Sequence, residues 1–372
     1  MDDLSERKSF VRKILAYIKN QPVAILLLTV PFALLADVLE WGPVWVFSLA
    51  ALGVIPLAGY IGESTESLAH YTGPRLGGLL NATLGNAAEL IITIVAIREG
   101  LLDLVKASIT GSILGNLLLV LGMAMLLGGL KHGDQKFDRR KASNDAILLV
   151  MTVLILMIPS MFSHNIEIGP EGSIKVEALS LGVAAVMIVL YVLGLIFSLK
   201  MPKGPLTPTP AEGMAEHVAW PLKVAIVVLA FSTVGVALLS ELFVGAVEPV
   251  VETLGISEFF IGIIFIPIIG NVAEHLVAVQ MAVRNKMELS VEIAVASSLQ
   301  IALFVAPVLV FISLILGHPL TLVFHPFELL ALIAGILIGA LVSADGESNW
   351  LEGVELLAIY VILGLAFFLL PA

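Results

Sequence analysis

Gly85-Asn86-Ala87-Ala88-Glu89 recurs 185 positions later as Gly270-Asn271-Val272-Ala273-Glu274, and both copies sit inside long apolar runs. An acidic side chain at the centre of a bilayer helix costs roughly 2.5–3.5 kcal/mol on insertion scales, so intramembrane acids are rare and mark function. Two of them in one repeated context predict a paired site and a chain built twice. The same shift extends outward: Glu63 falls on Glu248, Gly77 on Gly262, Ser112 on Ser297, and Leu114, Leu118 and Val120 on Leu299, Leu303 and Val305. Shared apolar composition accounts for the leucine and valine matches. It does not account for Gly-Asn-x-Ala-Glu at one offset.

The 372 residues are 59% hydrophobic and 13% charged, against about 45–50% apolar and about 25% charged in soluble domains. Apolar runs near bilayer length recur throughout. They predict an all-α integral membrane protein with eleven spans, near 22–39, 43–62, 77–98, 104–129, 142–163, 176–199, 219–240, 259–283, 287–316, 321–343 and 350–370. Only Arg98, Lys106 and Lys175 of the 19 basic residues then fall on outer segments, which favours a cytoplasmic N-terminus and an outside C-terminus. The expected organisation is a cytoplasmic N-terminus with an extra first span (1–40), a five-helix repeat (41–199), a Pro-rich cytoplasmic linker (200–218) and a second five-helix repeat (219–372). Five spans is an odd number, so the second copy is inverted in the membrane. Inverted repeats mark secondary transporters with their site at the midplane.

Other classes are disfavoured. The net charge of −11 argues against nucleic acid, and the absence of cysteine excludes disulfides and thiolate metal sites. No glycine directly precedes a lysine, so no ATP-binding P-loop is present. The linker is too short to fold alone, and no enzymatic domain is expected. The compact chain suggests a prokaryotic cell membrane.

On a helix Asn86, Glu89 and Thr93 share one face, and Asn271 and Glu274 repeat the arrangement. Gly85 and Gly270 are expected to loosen the backbone before each Asn, and Pro267 to free the carbonyl of Ile263. The following spans add Ser108, Ser112 and Asn116 on one side, and Ser297 and Gln300 on the other. Four helices would then converge with two carboxylates and several neutral oxygens, a donor set that suits calcium and disfavours soft metals. Two adjacent carboxylates cannot both stay ionised without a cation, so protons are the expected competitor. Glu63 and Glu248 are candidate vestibule or relay groups at opposite mouths. Asp145 and Glu328 receive no role.

These residues resemble the Ca2+/H+ antiporters of the cation/calcium exchanger superfamily. The likeness runs from the second span onward and is most specific at Gly85-Asn86-Ala87-Ala88-Glu89-Leu90-Ile91, Gly270-Asn271-Val272-Ala273-Glu274-His275, Gly111-Ser112-Ile113-Leu114-Gly115-Asn116 and Ser297-Ser298-Leu299-Gln300-Ile301-Ala302. The resemblance implies that Glu89 and Glu274 bind calcium and exchange it for protons. Asn271, Ser112, Ser297 and Gln300 are similar to the polar residues that surround the family's glutamates. It also implies eleven spans with the first outside the repeats, and no cofactor beyond the transported ions. Relatives often carry Ser where this chain has Gly115. A sodium- or potassium-coupled calcium exchanger on the same scaffold is the alternative, with a cation channel further off. A homo-oligomer is left open, and the lipid bilayer is the one other partner expected.

Overall fold

The computed structural model describes residues 22–166, 172–200, 220–343 and 345–370. The basic N-terminal residues Arg7, Lys8, Arg12, Lys13 and Lys19, and the linker from residue 201 to 218, lie outside the described residues.

A short 3-10 turn (Pro22–Leu28) leads into α1 (Thr29–Val38). There follow α2 (Pro43–Leu84), α3 (Ala87–Arg98), α4 (Leu102–His132), α5 (Arg139–Ile166) and α6 (Gly172–Lys200). The second half contains α7 (Leu222–Gly245), a surface helix α8 (Val247–Leu254), α9 (Glu258–Val283), α10 (Met287–Leu316), α11 (Pro326–Val342) and α12 (Trp350–Phe368). Helix starts follow local chemistry. Pro43 and Pro326 occupy first turns, where a missing N–H costs nothing. Asn349 and Glu352 form a reciprocal cap at α12.

Among the described residues, eight helical stretches are long and apolar enough to cross a membrane, with Val23–Val38 and Pro326–Val342 as shorter apolar helices. The remaining crossing lies at the α2–α3 junction. A straight 42-residue helix would run about 63 Å, twice a bilayer core of about 30 Å. It does not run straight. A Cβ built on Gly77 would stand 2.7 Å from the Ala69 Cβ, whereas eight residues of straight helix span about 12 Å. The chain therefore turns back near Gly73-Pro74, where proline removes a helical donor. The rest of α2 and α3 form the third crossing, and the count of eleven stands.

Boundaries moved where the apolar pattern is ambiguous. Helices extend past their apolar runs at 104–129 and 142–163, and the expected 219–240 is observed as Leu222–Gly245. The largest change is at 321–343, whose first residues are an extended loop rather than helix. Leu320, Leu322 and Phe324 are buried there. Their backbone N–H groups donate to Ser313, Ser180 and Ser160 hydroxyls at 2.8, 3.1 and 2.9 Å. Buried irregular backbone requires such partners.

Connections gather on two faces. On one, strands β1 (Gln135–Lys136) and β2 (Glu347–Ser348) pair antiparallel. Gln135 Nε2 donates to Ala282 O and Asn285 Oδ1 at 2.9 Å each, and Tyr71 Oη donates to Trp220 O. On the other, Arg98 pairs with Glu241 at 3.0 Å. There Leu104 N donates to Glu258 Oε1 at 3.0 Å. The two groups alternate along the chain as eleven crossings require.

Two irregularities recur at the repeat spacing. A π-helical stretch interrupts α4 at Gly115–Val120 and another interrupts α10 at Ile301–Val305. A third, Ile261–Phe265, lies in α9 just before Pro267. Such π-turns concentrate at functional sites.

Candidate functional site

α3, α4, α9 and α10 bring the repeated motifs together in the middle of the bundle. Glu89, in the first turn of α3, is fully buried. Its Oε1 accepts from Ser112 Oγ in a short hydrogen bond and from Ser108 Oγ at 3.3 Å, and its Oε2 accepts from Asn271 Nδ2 at 3.1 Å. Glu274, on α9, accepts from Ser297 Oγ at 2.7 Å and is partly exposed. Both Ser–Glu pairs span 23 residues, so the second pair repeats the first at the same offset as the motifs.

The match is not complete. Asn271 reaches across to Glu89, whereas Asn86 Nδ2 donates to Gln300 Oε1 at 3.0 Å. Gln300 aligns with Gly115, so one repeat brings an amide where the other has no side chain. Glu89 thus has three donors around it and Glu274 one.

Three buried amide atoms in this cluster have no partner: Asn86 Oδ1, Asn271 Oδ1 and Asn116 Nδ2. Leaving a buried acceptor unmet costs about 1–3 kcal/mol. The two oxygens, added to two carboxylates and the serine hydroxyls, give the hard-oxygen set that a calcium substrate needs. The residues present fit that ion.

The glycines act differently from the expected loosening. Gly85 does precede a break, since α2 ends at Leu84 and α3 restarts at Ala87. Gly270 and Asn271, however, lie within continuous helix Ile266–Val283. What the two glycines share is the surface they leave bare. A Cβ at Gly85 would lie 3.0 Å from Glu274 Oε1, and one at Gly270 would lie 3.2 Å from the Glu89 Cβ. Each glycine lets the opposite glutamate approach. Ile263 O, expected to be free, is covered by Gly111, where any Cβ would collide with it.

Thr93 turns away from the site, donating to Glu89 O at 2.8 Å. Glu63 is half-buried on α2 and Glu248 is exposed on α8. The donors that reach the two carboxylates come from α4, α9 and α10. Sequence reasoning also passed over buried acids behind the site. Glu328 is fully buried and accepts from Thr110 Oγ1 at 3.1 Å, and nearly buried Glu292 pairs with Lys141 at 2.7 Å. The available signal was their place on, or facing, the serine-bearing helices.

The Sodium/calcium exchanger protein family matches residues 42–200 and 224–369. A Ca(2+)/H(+) antiporter of Aphanothece halophytica is 45% identical over 367 residues, covering 95% of this chain and 98% of the relative. The Ca(2+)/H(+) antiporter ChaA of Bacillus subtilis is 45% identical over 344 residues, covering 92% and 97%. Among solved structures, native YfkE superposes with a TM-score of 0.82 at 42% identity, covering 94% of this chain and all of that one.

Proposed function

The chain belongs to the sodium/calcium exchanger family, and from that membership and the site geometry we propose that it exchanges calcium for protons across a membrane. One observation carries the reading: two glutamates from repeated motifs each lie against the glycine of the opposite motif, and the asparagine beside each of those glycines has an unpartnered amide oxygen.

In this reading Glu89 and Glu274 hold either the cation or protons. With calcium present, both carboxylates are charged ligands. Asn86 and Asn271 turn their unpartnered oxygens to the ion, and Ser112 and Ser297 orient the carboxylates. Without calcium, two adjacent carboxylates in a low-dielectric interior cannot both stay ionised, and protons take the cation's place. Alternating access couples the two loads: repeats 41–199 and 219–372, joined by the linker 200–218, rock about the midplane site. The face that bears β1 and β2 is cytoplasmic, which puts the N-terminus inside and the C-terminus outside.

The test is calcium flux into vesicles that hold the purified chain, under an imposed pH gradient, with and without sodium. The native chain should carry proton-driven flux indifferent to sodium. Glu89→Gln and Glu274→Gln should each abolish it. Flux that requires sodium would move the chain to the sodium-coupled branch. Undiminished flux in either variant would remove that glutamate from the site.

A further inference from the structure

We infer that two buried cross-braces, Thr110–Glu328 and Lys141–Glu292, fix the rotation of α4 and α10 so that Ser112 and Ser297 point at Glu89 and Glu274. The inference rests on the proposed site, since it assigns positioning residues to it.

In a helix, residues two apart are turned by about 200° and residues five apart by about 140°. Ser108 and Ser112 are four apart and share the face of α4 that meets Glu89; Thr110 lies between them on the far side. Its hydroxyl donates to Glu328 Oε1 at 3.1 Å, and Glu328 Oε2 accepts from His325 N at 2.7 Å in the first turn of α11. On α10, Glu292 precedes Ser297 by five residues and is also turned away from the site. It meets Lys141, near the start of α5, at 2.7 Å.

In each case a serine-bearing helix is tied from behind to the first turns of a helix from the opposite repeat. The chemistry differs because the aligned positions differ. Thr110 corresponds to Val295 and Glu328 to Ser143, so the first brace cannot be copied. A helix cap alone does not call for burying Glu328 completely, since an exposed acid caps as well. A buried acid with a second partner on the serine-bearing helix does what the cap cannot: it sets the azimuth of α4. Gly111, between brace and site around the helix, packs directly on Ile263 O of α9.

The first experiment measures calcium transport by the full chain in vesicles, for Thr110→Val, Glu292→Gln and the exchange Lys141→Glu with Glu292→Lys. Loss of a group that orients a ligand typically costs on the order of tenfold or more in metal affinity. Thr110→Val and Glu292→Gln should therefore raise the calcium KM about tenfold, with maximal rate within about twofold. The exchanged pair should recover most of that loss. Thr110→Val should be non-additive with Ser112→Ala and additive with Ser297→Ala, and Glu292→Gln the reverse, because groups acting through one contact couple. Unchanged KM with a lowered melting temperature would overturn the inference, leaving plain structural ties.

The second measurement needs no transport. The chain lacks cysteine, so S112C and S297C each report their own surroundings through their rate of reaction with a small thiol reagent. Glu292→Gln should change the S297C rate several-fold and leave S112C unaltered, and Thr110→Val the reverse. Equal rates throughout would sink the inference. A native chain with no calcium flux but with these selective rate changes would instead fail the proposed function and keep the braces.

Discussion

At the scale of single residues, the site depends on absent side chains as much as on present ones. Gly85→Ala would set a methyl 2.7 Å from the Asn81 carbonyl oxygen and 3.0 Å from Glu274 Oε1, both closer than ordinary contact, so that the backbone before α3 and the opposite carboxylate must both give way. Gly115 has nothing within 4 Å of its would-be Cβ. Gly85→Ala should raise the calcium KM about tenfold, as loss of ligand orientation does, and Gly115→Ala should leave it within about twofold. Flux measured at graded calcium separates the two, and equal effects would reduce both glycines to general helix flexibility. Ser112→Ala removes a donor to a buried carboxylate, a bond worth about 1.5–3 kcal/mol when one partner is charged. It should weaken apparent calcium affinity by about tenfold or more by the same measurement. The sequence disclosed the glutamates, asparagines and serines, because polar groups stand out in apolar runs. It did not disclose that Gly270 serves close approach inside an unbroken helix, nor that Asn86 bonds Gln300 rather than a glutamate. Those depend on how helices cross, and a one-dimensional pattern has no term for crossing.

At the scale of elements, hydropathy located the crossings but not the way the chain turns between them. The fold-back in α2 is the clearest case: residues on both sides of Gly73-Pro74 are helical, from Pro43 to Leu84, yet the chain reverses so that Gly77 packs against Ala69. Gly77→Leu should therefore be far more damaging than its position near a loop suggests. Its Cβ would begin 2.7 Å from the Ala69 Cβ and 2.8 Å from the Ala69 carbonyl oxygen, which cannot move aside without opening the turn. Overpacking of this kind costs about 1–3 kcal/mol or more. The expected result is a lower melting temperature in detergent than for Gly59→Leu, since Gly59 has open space around its Cβ. Similar melting temperatures would contradict the tight reversal. The extended segment before α11 escaped the sequence for a related reason. Leu320, Leu322 and Phe324 read as helix by composition, and only the three distant serines that meet their backbone donors make a buried loop tenable.

At the scale of the whole molecule, the lysine and arginine distribution and the observed grouping of connections agree on parity. Residues 131–141, 284–286 and 345–349 meet on the face with the two strands, as alternate crossings demand, and Arg98 meets Glu241 on the opposite face. Parity follows from the fold, whereas which face is cytoplasmic follows only from the basic-residue bias. The two can be tested together because the native chain has no cysteine. Lys136→Cys and Glu241→Cys should react with a membrane-impermeant thiol reagent from opposite sides of intact cells, Glu241→Cys from outside and Lys136→Cys only after the membrane is opened. Lys136 and Glu347 are direct partners in the strand pair and their side chains meet at 2.9 Å, the closer kind of opposed pair in antiparallel strands. A Lys136→Cys, Glu347→Cys double variant should therefore form a disulfide under mild oxidation, seen as a mobility shift that reductant reverses. Labelling of both single cysteines from one side would break the eleven-crossing topology itself. Reversed labelling with an intact disulfide would keep the fold and invert it in the membrane, so that the fold-back of α2 and the strand pair would face outward.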